Sequence, residues 1–169
     1  MVQAKTVKGS AIRDCLGPST WFDVVGSAND KWCPEEGEKL LELILRLEVN
    51  DVPPDLYIIT PFVIVAEEIR KAIKESKILQ RWKIEKDYIW LKERIGTVHT
   101  VQGREAEAVF FILGAPLIDQ ISARSWASDK PNILNVAVTR AKEAFYVIGN
   151  KTLWKETGVF SELADRIGN

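Results

Sequence analysis

The chain has 169 residues, 46% hydrophobic and 28% charged, with a formal net charge of −1 and a pI near 6.0. That length supports one domain with a substantial core and excludes two full nucleotide-binding lobes. The charge balance excludes a global basic field for nucleic acid, though not a local strip of contacts. Cys15 and Cys33 have no metal-ligand partners at usual spacings and read as free cytosolic thiols. No apolar run approaches the ~20 residues of a membrane span. Met1-Val-Gln-Ala-Lys is not a signal sequence, so a cytoplasmic protein is expected.

In chain order, residues 1–20 mix Gly9, Ser10, Gly17 and Pro18 and read as a poorly ordered lead-in from a preceding domain or an expression tag. The folded domain is expected over 21–169. Trp21 to Val25 makes a first strand, with Trp21 in the core. Pro34-Glu35-Glu36 then starts a helix well, because proline suits a first turn and acidic side chains complement the helix dipole. Leu40, Leu41, Ile44, Leu45 and Leu47 carry that helix over 35–49.

Leu56 to Thr60 reads as a buried strand, followed by a crossover helix over 63–77 with Val65, Ile69, Ala72 and Ile73 inward. Residues 78–94 scatter Trp82, Ile84, Tyr88, Trp90 and Leu91 among Lys, Arg and Glu, and read as an irregular insert with a short strand. Strands are expected over 95–98 and 108–113, a loop over 116–131 with a helical turn near 121–126, and a helix over 133–142. A strand over 145–148 and a closing helix over 161–167 complete the chain. Apolar strands alternating with helices imply an α/β fold built on a mostly parallel sheet with helices on both faces. Polar residues where such strands end mark the ligand sites of open α/β sheets.

Two blocks carry the chemistry. The first, Thr97-Val98-His99-Thr100-Val101-Gln102-Gly103-Arg104-Glu105, precedes the apolar run Val109 to Leu113. The second, Asn135-Val136-Ala137-Val138-Thr139-Arg140-Ala141-Lys142, precedes Phe145 to Ile148. They resemble motifs V and VI of superfamily-one helicases, in particular the branch typified by the nonsense-mediated-decay helicase and its bacterial relatives. Leu56-Tyr57-Ile58-Ile59-Thr60-Pro61-Phe62 is similar to motif IV. The likeness covers roughly residues 20–165.

The resemblance implies a RecA-like lobe of the P-loop-NTPase type, the C-terminal one of the two that such helicases close over ATP and Mg²⁺. None of the ten glycines forms the phosphate cradle G-x-x-x-x-G-K-[ST], and no Asp-Glu pair follows an apolar strand. The phosphates and magnesium are therefore expected on an N-terminal lobe of the same protein, and the isolated chain is expected to be inactive.

By the same resemblance, Arg140 is the catalytic arginine finger that reaches the γ-phosphate across the cleft, where a guanidinium donates two hydrogen bonds at once. Gln102, Gly103, Arg104 and Glu105 are the ATP-binding loop, Glu105 accepting from the ribose. Thr60, Thr97, His99 and Thr100 face single-stranded DNA or RNA, by phosphate contacts that position without reading sequence. Asn135 and Thr139 fix the motif VI helix locally. Relatives carry an arginine ahead of the first long helix, where this chain has Cys33-Pro34-Glu35-Glu36, and often a glutamine where it has Val63-Ile64-Val65. The competing reading is a RecA-like module that binds nucleic acid or protein and turns nothing over.

Overall fold

The computed structural model describes residues 9–101 and 103–168. Its five strands are β1 (Thr20–Asp23), β2 (Leu56–Ile59), β3 (Ile95–Gly96), β4 (Ala106–Ile112) and β5 (Ala141–Gly149). They lie in the order β1-β5-β4-β2-β3, and every neighbouring pair is parallel. Parallel neighbours need crossovers, and helices supply them. This is the α/β, RecA-like architecture expected from the alternation of strands and helices.

The two central strands explain why the apolar runs are continuous rather than alternating. Val109 to Ile112 on β4 and Tyr146 to Ile148 on β5 have no exposed surface, since helices cover the sheet. Both strands are longer than the apolar runs that announce them. They start at Ala106 and Ala141, which pair with each other, so the ladder extends into polar sequence.

Helix α1 spans Ala11–Leu16, α2 Pro34–Val49, α3 Val63–Ser76, α4 Ile78–Arg81 and α5 Asp87–Arg94. Helices α6 (Ile121–Ser128), α7 (Pro131–Thr139), α8 (Lys151–Trp154) and α9 (Val159–Arg166) follow among the described residues. Helix α2 starts on Pro34 with Glu35 and Glu36 in its first turn, as its sequence dictates. Its core face is Leu40, Leu43, Ile44 and Leu47, whereas Leu45 is exposed. On α3 the inward set is Val65, Ala66, Ile69 and Ile73, and Lys77 in the left-handed region ends the helix.

Two stretches differ from expectation. Within the supposed lead-in, α1 is capped by Ser10, whose hydroxyl accepts from the Arg13 amide at 3.2 Å. Ile12 is buried, and its amide donates to Glu107 of β4 at 2.8 Å, as does the Ser10 hydroxyl. Residues 78–94 form α4 and α5 rather than an irregular insert. Their anchors come from distant backbone: Trp82 Nε1 donates to the Val52 carbonyl at 3.1 Å, and Arg70 donates to the carbonyls of Leu91 and Ile95. Trp21 is buried, its indole donating to the Gly149 carbonyl at 3.2 Å. Among the described residues no helix is long and apolar enough to cross a membrane.

Candidate functional site

The nine residues 97–105 connect β3 to β4, and because the sheet is parallel they must run from one edge of it to the other. Their first residues lie where β3 ends and their last where β4 begins. Seven-residue β4 separates those edges by about 20 Å at the rise of a parallel strand. The ligand residues were expected where strands end. Only Thr60, Thr97 and their neighbours lie there, whereas Gly103, Arg104, Glu105 and Arg140 lie at the amino edge, because they precede β4 and β5.

At the amino edge the structure brings the motif V loop and Arg140 together. Arg140 caps α7, its amide donating to the carbonyls of Val136 (3.1 Å) and Ala137 (3.2 Å). Its own carbonyl accepts from the Ala106 amide at 2.9 Å, which ties the first residues of β4 and β5. The guanidinium turns back onto the loop: Nη1 donates to the Arg104 carbonyl at 3.1 Å and Nε to the Val136 carbonyl at 3.4 Å. Among the described residues no carboxylate lies within ion-pair distance of Arg140. Its side-chain contacts are two backbone carbonyls, neutral acceptors that bind a guanidinium less strongly than a charged oxygen does.

Arg104 and Glu105 are exposed beside it. Gly103 has φ +76°, a conformation a side chain disfavours, and its missing Cβ faces open space. Gln102 lies outside the described residues. Thr139 donates its hydroxyl to the Val136 carbonyl at 2.9 Å, a local bond of the kind expected, while Asn135 is exposed.

At the carboxyl edge an open groove of about 650 Å³ is lined by Thr60, Pro61, Val63, Thr97, Val98, His99, Trp126, Asp129, Lys130, Asn132 and Ile133. It gathers Thr60, Thr97 and His99, but not on equal terms. His99 is exposed and Thr97 half-buried. Thr60 has no exposed surface, and its hydroxyl accepts from the Phe62 amide at 3.3 Å, shaping the turn into α3. Thr100 packs its side chain on the Gly96 backbone, where a Cβ on Gly96 would collide with it. Trp126, Lys130 and Asn132 also line this groove; from the sequence Trp126 read as core or lobe-interface packing, and Lys130 and Asn132 carried no signal.

Beside this edge the stretch Cys33-Pro34-Glu35-Glu36 starts α2 with no cation of its own. Glu36 is fully buried, and one carboxylate oxygen accepts from the Gly114 amide at 2.9 Å while the other has no partner. Burial pushes its carboxyl up to about 8, against the opposing pull of that amide. Burial likewise pushes the Cys33 thiol up to about 12, with the Glu36 carboxyl adding to the effect, so Cys33 is inert as a nucleophile. Gly114 has φ +69°, and a Cβ there would sit 2.7 Å from the Lys31 carbonyl. Among the described residues no three His, Cys, Asp or Glu side chains gather in a way that could hold a metal.

The chain is similar to proteins of known kind. An uncharacterized ATP-dependent helicase of Methanocaldococcus jannaschii is 32% identical over 130 residues, which are 76% of this chain. Those residues span only 16% of that relative's length. A family model described as an AAA domain matches residues 8–152, a span that takes in α1, both helicase-like blocks and the start of α8. The parallel sheet, the loop before β4 and the arginine before β5 thus all fall within the match, and the chain belongs to this AAA domain family.

Proposed function

We propose that this chain is the C-terminal motor lobe of an ATP-dependent helicase or translocase of superfamily one, in the branch its motifs V and VI resemble. It acts on single-stranded DNA or RNA together with an N-terminal RecA-like lobe of the same protein, which holds the phosphate cradle and Mg²⁺. What carries the reading is one juxtaposition: the motif V loop and the motif VI arginine, 36 residues apart, meet at the amino edge through the Arg140–Arg104 bond. The similarity to an ATP-dependent helicase supports it.

In this mechanism Arg140 releases the two carbonyls it holds and points its guanidinium at the γ-phosphate. There it stabilises the charge that phosphoryl transfer spreads over the equatorial oxygens. Glu105, exposed beside it, accepts from the ribose, and Gly103 lets the backbone approach. Thr97 and His99 meet the strand at the opposite edge, while Thr60 positions the turn beneath them. ATP binding closes the two lobes on the strand and hydrolysis releases them, so the protein steps along the backbone.

The test is steady-state ATP hydrolysis beside thermal unfolding in the full-length protein. Arg140→Ala is expected to lower turnover by roughly 10³- to 10⁵-fold, with ATP binding much less affected. Arg140→Lys is expected to rescue little, because a point charge cannot make the planar two-pronged contact. Near-normal turnover from a folded Arg140→Ala protein ends the assignment.

A further inference from the structure

Of the six tryptophans, two are wholly inside, Trp21 and Trp154, and Trp32 is nearly so. Trp126 is the contrast: 47% of its surface is exposed, a large apolar area to leave in water. It stands on α6, over the carboxyl edge of the sheet, and lines the groove that holds Thr97 and His99. A second hollow of about 770 Å³, lined by Lys31, Phe62, Ile64 and Gln120 among others, adjoins the first. Pro61, Val63 and Trp126 belong to both, so the indole stands where the two hollows meet.

The ring is braced. Phe62, itself buried, stacks against it with centroids 6.0 Å apart and planes 29° apart. Lys130 lies over the indole, its ammonium 5.4 Å from the ring centroid. The charges lining the two hollows are mixed, Lys31 and Lys130 against Asp30 and Asp129. A groove of that balance holds only a few phosphates by charge. The aromatic and aliphatic floor of Pro61, Phe62, Val63 and Trp126 adds apolar contact, and the ligand group that matches such a floor is a flat ring.

We propose that Trp126 is a base-stacking platform: one nucleobase of the bound single strand lies on the indole, and Lys130, displaced from the ring, takes the adjoining phosphate. This rests on the reading of the carboxyl edge as a nucleic-acid track and adds to it a contact with a base, where Thr97 and His99 contact the backbone. Stacking of this kind tolerates any base, because every base has a π-face. The displaced ammonium exchanges one cation–π contact for a charge-assisted one.

The test uses the full-length protein and two labelled strands of about 20 nucleotides: oligothymidylate, and an abasic deoxyribose-phosphate strand of equal length. Trp126→Ala is expected to weaken oligothymidylate binding roughly 5- to 150-fold, the value of one lost stacked base. The abasic strand should bind wild type and variant alike. Trp126→Phe should retain most of the affinity. The slope of log Kd against log salt should be unchanged in both variants, because stacking releases no counterions. Equal weakening on both strands with a lowered Tm overturns the proposal and makes Trp126 a packing residue, for instance against the neighbouring lobe. Unchanged binding of oligothymidylate by Trp126→Ala overturns it while leaving the track intact. Wild-type protein that binds neither strand at low salt fails the track itself.

Discussion

Arg140 donates through Nη1 to the carbonyl oxygen of Arg104, 3.1 Å away, so the residue just before β5 holds the loop that leads into β4. The Ala106 amide returns a bond to the Arg140 carbonyl, closing a short cycle between the two motifs. The arginine proposed for catalysis is therefore also a structural clip.

That double use has a measurable result. Arg140→Ala removes the clip, and amide hydrogen exchange should quicken at residues 103–105 while the centre of β4 stays protected. The stability loss should be small, about 0.5–1.5 kcal/mol for one partly exposed hydrogen bond. Unchanged exchange across the loop would show that the clip does not hold it.

Glu36 should give the fold a pH dependence of unusual sign. Folded, its carboxyl keeps the proton to about pH 8; unfolded, it releases it near the ordinary 4.5. Its stabilising contribution is therefore complete below about 4.5 and is lost as pH rises toward 8, on the order of a few kcal/mol. Glu36→Gln keeps the acceptor for the Gly114 amide and cannot ionise. The Tm of the variant should gain on wild type steadily between pH 5 and pH 8. Parallel Tm curves across that range would contradict the assignment.

Arg124 is buried under the loop after β4. It donates to the carbonyls of Ala115, Leu117 and Ile118, and its Nε has no partner. Arg124→Ala leaves those carbonyls without their donor and should cost about 2–4 kcal/mol. Arg124→Lys should recover only part, because one ammonium cannot span three acceptors in a fork. Chemical denaturation of the three proteins measures this; a loss below about 0.5 kcal/mol, the scale of an ordinary surface substitution, would refute it.

Residues 1–169 produced alone should hydrolyse no ATP above background. They should bind single strands weakly, without sequence preference, and with strong salt dependence. Magnesium-dependent turnover from the pure chain, or tight sequence-selective binding at physiological salt, would overturn the lobe reading.

The parallel sheet was legible because β2 and the later residues of β4 and β5 are continuous apolar runs, and α2 and α3 because their buried residues recur at helical spacing. Helix α5 was not. It buries only Leu91, so its period is faint, and its last turn is held by Arg70 from a different helix. The strings around Arg104 and Arg140 suggested, by resemblance, one nucleotide site, but their mutual bond and the edge of the sheet they occupy follow from strand direction, which only pairing reveals. Trp126 was illegible for a related reason. Its brace, Phe62, lies 64 residues earlier, and nothing local distinguishes an exposed indole from a buried one.

Val101 sits at the middle of the connection between β3 and β4 and has no exposed surface. The segment is therefore anchored in the core between two ends that reach solvent, Thr97 and His99 on one side and Arg104 and Glu105 on the other. On the proposed reading Val101 is the fixed point between strand and nucleotide. An insertion on either side of it should then uncouple the two while leaving each able to bind.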